Sequence, residues 1–272
     1  MEDLRQLRDA IDTIDGKLLG LLNDRARLAQ EIGRIKERNG RPVYAPERAE
    51  QLMRRLAEKS AGPLDAAAIR AIYIEIMSAS LALEKEMLIA CEGSVGGRTH
   101  FAAKQQFGSS VRYAFHPGSG ELLNAVKSGK ADCAVIPLGD DGPDDAVLEA
   151  LGNGDLFITA QILPGGDEHG VGSSRFLVLG TSPNTPSGRD QSAMLLHLGQ
   201  EATPDQAIAL LREAGLQPLI RHSLPDHPGS SGLRLFVETA GHADDPALQS
   251  FLDSLNSTGI SAKPCGSYPA LS

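Results

Sequence analysis

The first 38 residues follow the hydrophobic periodicity of one long helix. Between Leu4 and Arg38 most apolar side chains are three or four positions apart, the spacing of a helix with one apolar face. They are Leu4, Leu7, Ile11, Ile14, Leu18, Leu21, Leu22, Leu28, Ile32 and Ile35. Asn39-Gly40 offers a C-cap and Pro42 prevents continuation, so we predict that the helix ends there.

Two shorter helices are predicted before residue 90. Pro46 and Glu47 suit the first turn of a helix that runs to about Lys59, since proline needs no backbone N–H partner there and the carboxylate faces the positive end of the helix dipole. Asp65 is the expected N-cap of a third helix that runs to about Ile89. Three such helices do not enclose a compact core alone, and a coiled-coil-like dimerisation module is one interpretation.

The spacing of three cations in the first helix indicates which of them can bind the same ligand. Lys36 follows Arg25 by eleven residues, about three turns at ~3.6 residues per turn, so the two share a face. Arg8 precedes Arg25 by seventeen residues, roughly 26 Å along the axis and about 100° around it. If all three bind the same kind of small ligand, Arg8 must serve a different copy of the site. This predicts two long helices running past each other in a dimer.

The pattern changes near Cys91, where glycine, serine and proline become frequent and short strands alternate with helices. This alternation is typical of an α/β lobe of about ninety residues. We predict strands at 111–115, 131–137, 156–163 and 176–179, helices at 120–128 and 144–151, and a linker at 181–188. The segment from about 192 onwards has the order βαββαβ, which is the ferredoxin-like split motif.

Composition narrows the class of protein. The net charge of −9 argues against a nucleic-acid surface, and 41% hydrophobic with 22% charged residues is ordinary for a soluble globular protein. We expect no membrane span, because no apolar run approaches ~18 residues, and no signal peptide. The three cysteines are scattered, which favours reduced thiols in the cytoplasm over a disulfide framework or a metal site.

Several polar residues lie on otherwise apolar helix faces of residues 1–90. They are Arg8, Arg25, Lys36, Arg48, Ser80 and Glu84. Four cations converging on one cavity would suit a small dianion, because arginine forms bidentate pairs with carboxylates. Taken singly, each charge is more simply explained as a solvated helix charge.

Four stretches carry a resemblance to a known family. They are Leu7-Arg8-Asp9-Ala10-Ile11-Asp12, Asp24-Arg25-Ala26-Arg27-Leu28-Ala29, Tyr44-Ala45-Pro46-Glu47-Arg48 and Ile76-Met77-Ser78-Ala79-Ser80-Leu81-Ala82-Leu83-Glu84. In these stretches residues 1–90 resemble the all-helical chorismate mutases, in the form fused in front of prephenate dehydratase. The resemblance implies three helices in an intertwined homodimer with two sites, each of which takes Arg8 from the partner.

The resemblance also implies the chemistry. Arg25 and the Arg8 given in trans would hold the two carboxylates of chorismate, and Lys36 would donate to the ether oxygen as the carbon–oxygen bond breaks. The reaction is a pericyclic rearrangement to prephenate that needs no nucleophile, metal or cofactor. Catalysis then rests on positioning and on preorganised charge.

The remaining implied site residues complete the pocket. Arg48 and Ser80 would help to hold the carboxylates, while Ile32 and Met77 would supply apolar walls. Glu84 stands opposite the lysine at the ether oxygen, where related enzymes carry Gln or Glu. A carboxyl group donates a hydrogen bond only when protonated, so we expect better activity at acidic pH.

Helix two departs from the family at one position. The family usually has Glu directly after the arginine of the Pro-Glu-Arg motif, where it binds the ring hydroxyl of the substrate. This chain has Ala49 there, and Glu50 follows about 100° around the helix. Either Glu50 is recruited or the contact is missing, and an unmade hydrogen bond in a closed site could cost roughly 1–3 kcal/mol.

The middle of the chain resembles prephenate dehydratase only in part. Gly139-Asp140-Asp141 replaces the Glu-Asn-Ser of the family, and Ser173-Ser174-Arg175-Phe176 is similar to its catalytic Thr-Arg-Phe motif with serine for threonine. Only a few residues separate Leu163 from Gly172, where the family inserts a second lobe. The dehydratase site lies between lobes, so we do not expect dehydratase activity.

The end of the chain resembles the ACT regulatory domain of the same fusion proteins through Phe236-Val237-Glu238-Thr239-Ala240-Gly241-His242 and Gly266-Ser267-Tyr268-Pro269. The phenylalanine-binding motifs do not fit, because His222-Ser223-Leu224-Pro225 lacks the arginine of the family's Glu-Ser-Arg-Pro. Whether a small-molecule effector binds this domain, and which one, stays open. An ordinary strand histidine is the simpler interpretation of His222.

These observations predict a multidomain chain with a chorismate mutase domain at 1–90, a single dehydratase-like α/β lobe at 91–185 and an ACT-like α+β domain at 190–272. The predicted function is a cytoplasmic, dimeric chorismate mutase whose two appendages serve dimerisation or regulation. One alternative is a bifunctional mutase and dehydratase. The other is a non-catalytic binding or regulatory protein with a mutase fold, which Ala49 favours.

Overall fold

The computed structural model describes residues 4–40, 42–164, 175–225, 232–256 and 258–270. Its first part consists of helices α1 (Leu4–Arg38), α2 (Pro46–Lys59) and α3 (Ala66–Glu84). The predicted end of α1 and the predicted start of α2 at Pro46 are confirmed. Asp65 is the N-cap of α3, because its carboxylate accepts a hydrogen bond from the Ala68 N–H at 2.8 Å.

The predicted end of α3 at Ile89 is wrong. The helix stops at Glu84, Lys85 is extended, and Leu88–Glu92 forms strand β1. This strand is hydrogen-bonded to a neighbour on each side, so sheet pairing determines the conformation of an apolar run whose periodicity is also compatible with a helix.

The apolar stripe of α1 lies largely uncovered in the single chain. Only Ala29 and Gly33 of this helix are buried. The apolar residues of the stripe are between 41% and 66% exposed, namely Leu4, Leu7, Ile11, Ile14, Leu18, Leu21, Leu22, Leu28, Ile32 and Ile35. Since covering one leucine or isoleucine stabilises by about 1.5–3 kcal/mol, this face has a strong tendency to associate.

Helix α3 corrects the expectation that no segment is apolar enough to span a membrane. By length and composition alone it passes that test, with a mean hydropathy of 1.5. Its polar side chains, however, bond to the rest of the chain: Ser109 donates to Glu75 from both its N–H and its Oγ at 3.0 Å, and the Ser110 N–H donates to Ser78 Oγ at 2.9 Å. These contacts are those of a helix packed within a folded unit.

The middle part is a mixed α/β layer. Strands β1, β2 (Arg112–His116), β3 (Cys133–Leu138), β4 (Phe157–Ile162) and β5 (Arg175–Gly180) form one sheet in the order β2-β1-β3-β5-β4. The β1–β2 and β1–β3 pairs are parallel, and the β3–β5 and β5–β4 pairs are antiparallel. The helices are α4 (Arg98–Phe107), α5 (Ser119–Lys127) and α6 (Asp145–Asn153), of which α4 had not been predicted.

The last part contains β6 (Asp190–Leu198), α7 (Pro204–Glu213), β7 (Pro218–Pro225), β8 (Leu233–Ala240), α8 (Pro246–Ser254) and β9 (Ile260–Pro269). The predicted order of elements, βαββαβ, is confirmed. The strands form an antiparallel sheet in the order β7-β8-β6-β9. The assignment of this part as an ACT-like domain stays a prediction.

The three cysteines are buried and unpaired. Burial raises the pKa of the Cys91 and Cys265 thiols to about 12 and that of Cys133 well above its ordinary value. The thiols therefore stay protonated at neutral pH and act as small apolar side chains in the core.

The two sheets share one hydrophobic core, to which strands β3 and β4 contribute from one side and β6, β8 and β9 from the other. At their contact Gly266 has a φ of +134°, and a Cβ built there would lie 2.3 Å from the Ile158 carbonyl oxygen. Only glycine fits this position, because a side chain would meet the backbone of β4 and strain its own backbone. The α/β lobe and the C-terminal sheet are therefore packed as one body.

We predict that Gly266→Ala lowers the free energy of unfolding by at least about 1–3 kcal/mol, since backbone strain alone costs that much. Denaturant unfolding followed by circular dichroism measures it. Gly120→Ala is the matched control, because a Cβ at Gly120 of α5 meets nothing within 4 Å. Equal stability of the two variants would contradict the proposed backbone contact.

Candidate active site

A cavity of about 480 Å³ lies between α1, α2, α3 and α4. Seven of the eight predicted site residues line it: Arg25, Ile32, Lys36, Arg48, Met77, Ser80 and Glu84. Arg8 does not line it and lies on the exposed N-terminal part of α1. The single chain thus brings together all the predicted residues except the one that was expected to come from a partner.

Arg25 is fixed to α3 through its guanidinium. Its Nη1 donates a hydrogen bond to Ser80 Oγ and approaches the Ile76 carbonyl oxygen at 3.5 Å. The Ser80 hydroxyl in turn donates to the same carbonyl at 2.9 Å. Ser80 therefore orients the arginine, which leaves a directed fork of N–H groups to bind a planar anion.

Lys36 is held between a backbone carbonyl and a carboxylate. Its Nζ donates to the Val43 oxygen at 2.6 Å and lies 3.4 Å from Glu84 Oε2. Gly33 makes this arrangement possible, because a Cβ at that position would lie 2.9 Å from the Glu84 Cβ. The ammonium and the carboxyl group therefore share one corner of the cavity.

Glu50 lines the cavity together with Ala49, and Arg70 holds it in place. Glu50 is 7% exposed, and Arg70 Nη1 lies 3.1 Å from its Oε2 and 3.4 Å from its Oε1. Sequence analysis missed Arg70. A signal was present, since Ile74 and Met77 follow it at the i+4 and i+7 positions of the same face of α3.

Helix α4 also contributes to the wall, through Gln106 and Phe107. Gln106 Nε2 donates to the Tyr44 hydroxyl at 2.8 Å, and the rings of Tyr44 and Phe107 have centroids 4.8 Å apart. Burial raises the pKa of Tyr44 far above its ordinary value, so its hydroxyl stays neutral. No sequence signal pointed to these residues, because α4 itself had not been predicted.

The cavity is positively charged. It is lined by the cations Arg25, Lys36, Arg48 and Arg70 and by the carboxylates Glu50 and Glu84. Four positive and two negative charges leave a formal charge of +2, and a half-enclosed site of that charge suits a small dicarboxylate. Among the described residues, no group of three or more His, Cys, Asp and Glu side chains could hold a metal ion.

Residues 7–85 match the family described as chorismate mutase type II. The match covers the three N-terminal helices, which line the cavity. The chain is also similar to bifunctional chorismate mutase/prephenate dehydratases. It is 36% identical to the protein of Aquifex aeolicus over 169 residues, which are 60% of this chain and 47% of that relative.

A second relative spans the full length. The bifunctional chorismate mutase/prephenate dehydratase of Stutzerimonas stutzeri is 22% identical over 358 aligned positions, covering 98% of both chains. The chain thus spans about half the length of the Aquifex relative and nearly all of the Stutzerimonas relative.

Two solved structures share the fold of the remaining part. The prephenate dehydratase of Streptococcus mutans aligns with a TM-score of 0.54 and 21% identity, covering 67% of this chain and 97% of that chain. GqqA, described as a novel type of quorum quenching acylase, aligns with a TM-score of 0.57 and 23% identity, covering 69% and 97%. These likenesses show the fold of this region. Because the two structures carry such different names, the fold alone does not assign an activity.

Arg175, in the motif similar to the catalytic Thr-Arg-Phe, is bound by another residue of the chain. Its Nη2 lies 2.9 Å and 2.8 Å from the two carboxylate oxygens of Glu238, which is 1% exposed. The Tyr268 hydroxyl donates to the same carboxylate. Ser173 and Ser174 lie outside the described residues. In this structure Arg175 therefore joins the α/β lobe to the C-terminal sheet.

His222 lies on β7 beside the loop that replaces Glu-Asn-Ser. A Cβ at Gly142 would lie 2.9 Å from its side chain, and its ring is 6.3 Å from that of Phe236. Its Nε2 is buried with no hydrogen-bond partner within the described residues. The histidine thus packs against the loop that contains Gly142 and against Phe236 of the neighbouring strand β8.

We predict that Glu84→Gln raises the turnover of chorismate, because an amide donates a hydrogen bond to the ether oxygen whereas a carboxylate only accepts one. Steady-state rates at one pH measure the effect. Glu58→Gln removes the same charge at an exposed position of α2 and should keep the wild-type rate. A Glu84→Gln rate no higher than that of the wild type would contradict a position of this side chain beside the ether oxygen.

Proposed function

We propose that this chain is a chorismate mutase that converts chorismate to prephenate. The observation that carries the proposal is the cavity of +2 formal charge that Arg25, Lys36 and Arg48 line inside the matched chorismate mutase domain. Chorismate carries two carboxylates, so it suits a cavity with an excess of positive charge. The volume of about 480 Å³ is within the ordinary range for a small-molecule site.

The residues divide between binding and transition-state stabilisation. Arg25, oriented by Ser80, binds one carboxylate of the substrate, and Arg48 supports the carboxylate binding from α2. Ile32 and Met77 form apolar walls that hold the substrate in its folded conformer. Because the rearrangement is pericyclic, holding the reacting carbons together supplies much of the rate enhancement.

Lys36 and Glu84 act at the ether oxygen. Negative charge grows on this oxygen as the bond breaks, and the ammonium, already directed by the Val43 carbonyl, stabilises it without reorganisation. Glu84, whose Oε2 lies 3.4 Å from the ammonium, helps to hold it in place. Neither residue forms a covalent bond with the substrate, and the proposed mechanism uses no metal and no cofactor.

A homodimer completes each site. The exposed apolar stripe of α1 supports this proposal, because a second copy of the same helix would cover it. Two α1 helices running past each other would carry Arg8 of the partner subunit to the cavity of the first protomer. Arg8 then binds the second carboxylate of chorismate.

Glu50 takes over the contact that Ala49 cannot make. Its carboxylate lines the cavity and is oriented by Arg70. A carboxylate offers about four acceptor positions, so the bond to Arg70 is compatible with a further bond to the ring hydroxyl of the substrate. This arrangement supports mutase activity in spite of Ala49.

Dehydratase activity is the second candidate function, which the similarity to bifunctional relatives over 98% of the chain favours. Against it stand the Gly139-Asp140-Asp141 sequence and the engagement of Arg175 by Glu238. An ACT-like effector site and a cytoplasmic location remain proposals by analogy with the family.

Mixed dimers test the shared site. We predict that Arg25→Ala and Arg8→Ala homodimers each lose roughly 100- to 1,000-fold in chorismate turnover, since each lacks one carboxylate contact. A heterodimer of one copy of each variant, isolated through two affinity tags, has one intact site and should recover about half of the wild-type activity. A heterodimer as inactive as its parents would contradict the contribution of Arg8 in trans.

Incubation of the protein with prephenate separates the two candidate functions. We predict that phenylpyruvate forms no faster than in a protein-free control, because the dehydratase-like motifs are altered. Phenylpyruvate is followed by its absorbance in alkali. Protein-dependent formation that Arg175→Lys abolishes would instead establish a bifunctional enzyme.

A further inference from the structure

We propose that helix α4 of the α/β lobe is part of the mutase site, and that Gln106 and Tyr44 are positioning residues for Lys36. The inference rests on the proposed function. It assigns to the dehydratase-like lobe a direct role in the mutase reaction, in place of a role as an independent appendage.

The first step concerns the loop between α1 and α2. The Val43 carbonyl is the nearest acceptor of the Lys36 ammonium, at 2.6 Å, whereas Glu84 lies 3.4 Å away. The direction of the ammonium therefore depends on where the backbone at residue 43 lies. Residues 42–45 form no helix or strand, so side-chain contacts must hold this backbone in place.

The second step is that the lobe supplies these contacts. Tyr44 packs its ring against Phe107 at 4.8 Å and accepts a hydrogen bond from Gln106 at 2.8 Å. Val43 and Tyr44 also pack against the hydrophobic cluster that contains Phe107 and strands β1, β3 and β5. The loop that directs Lys36 is thus held by the core of the α/β lobe.

The third step is that α4 is fixed relative to α3, which carries Ser80 and Glu84. Directly after α4, Gly108 has a φ of +70°, and a Cβ there would lie 2.5 Å from the Ser78 Cβ. Ser109 and Ser110 then bond to side chains of α3. The end of α4 therefore cannot shift relative to α3 without losing these contacts, so α3, the loop and α4 form one rigid frame around Lys36.

Helix α2 is tied to the rest of the chain in the same way. Arg54 donates to the Ser187 carbonyl at 2.8 Å, and the Thr185 hydroxyl donates to Glu47 at 3.2 Å. Residues 185–187 belong to the segment between the two sheets. The appended regions thus hold the loop and α2, which both belong to the cavity wall.

The test uses the full chain. Gln106→Leu removes the donor to Tyr44 with little change of size, and Tyr44→Phe removes only the hydroxyl while keeping the ring. Because Lys36 acts on charge that develops in the transition state, each variant should lower kcat by roughly tenfold or more with little change in KM. The double variant should be no slower than the slower single variant, since both changes break the same bond.

Gln105→Leu is the matched control, because this neighbour in α4 is exposed and should keep wild-type kcat. Thermal unfolding of every variant is measured alongside, and Tyr44→Phe keeps the test informative if Gln106→Leu does not fold. Wild-type kcat in both folded single variants would overturn the inference while leaving the proposed function intact. No turnover by any form, the wild type included, would overturn the proposed function and this inference together.

Discussion

The placement of the Lys36 ammonium is the constraint on which the site depends. It lies on a long helix, yet its direction is determined by the Val43 carbonyl from a loop and by Glu84 from another helix. A cation on a flexible four-carbon chain has many rotamers, so it stabilises developing charge only if its surroundings select one of them. The loop and α3 contact the ammonium directly, and the lobe acts at a greater distance by holding the loop.

A second constraint is the apolar face of α1. Ten aliphatic side chains spaced for burial lie exposed in the single chain, whereas the α/β lobe and the C-terminal sheet bury their apolar residues in shared cores. The α/β lobe and the C-terminal sheet thus cover their apolar faces within the single chain, whereas α1 does not. Seven predicted site residues meet in the cavity and Arg8 does not. The proposed dimer accounts for both observations.

In the dehydratase-like region, the arginine of a motif that resembles a catalytic one takes part in packing. Arg175 and Glu238 form a buried pair between the two sheets, and removing one partner of such a pair leaves an uncompensated charge that costs about 3–5 kcal/mol. A resemblance in sequence thus coexists with a contact that uses the guanidinium for interdomain packing.

Much of the helical part could be predicted from the sequence, because its signals are local. The end of α1 at Asn39-Gly40, Pro46 at the start of α2 and the Asp65 cap depend on residues within one turn. The end of α3, the existence of α4 and the roles of Gln106 and Phe107 depend on how distant segments pack, which no local pattern contains. Arg70 could be predicted only in part, because its position on the face of α3 is visible in the sequence and its pairing with Glu50 is not.

The central claim is that the positively charged cavity rearranges chorismate. The most direct measurement is nuclear magnetic resonance of chorismate incubated with the purified full-length protein, with Arg25→Ala as the control. We predict resonances of prephenate that grow as those of chorismate decline, at a rate proportional to wild-type protein and strongly reduced in the variant. Chorismate that disappears no faster with the wild type than with Arg25→Ala would contradict the account.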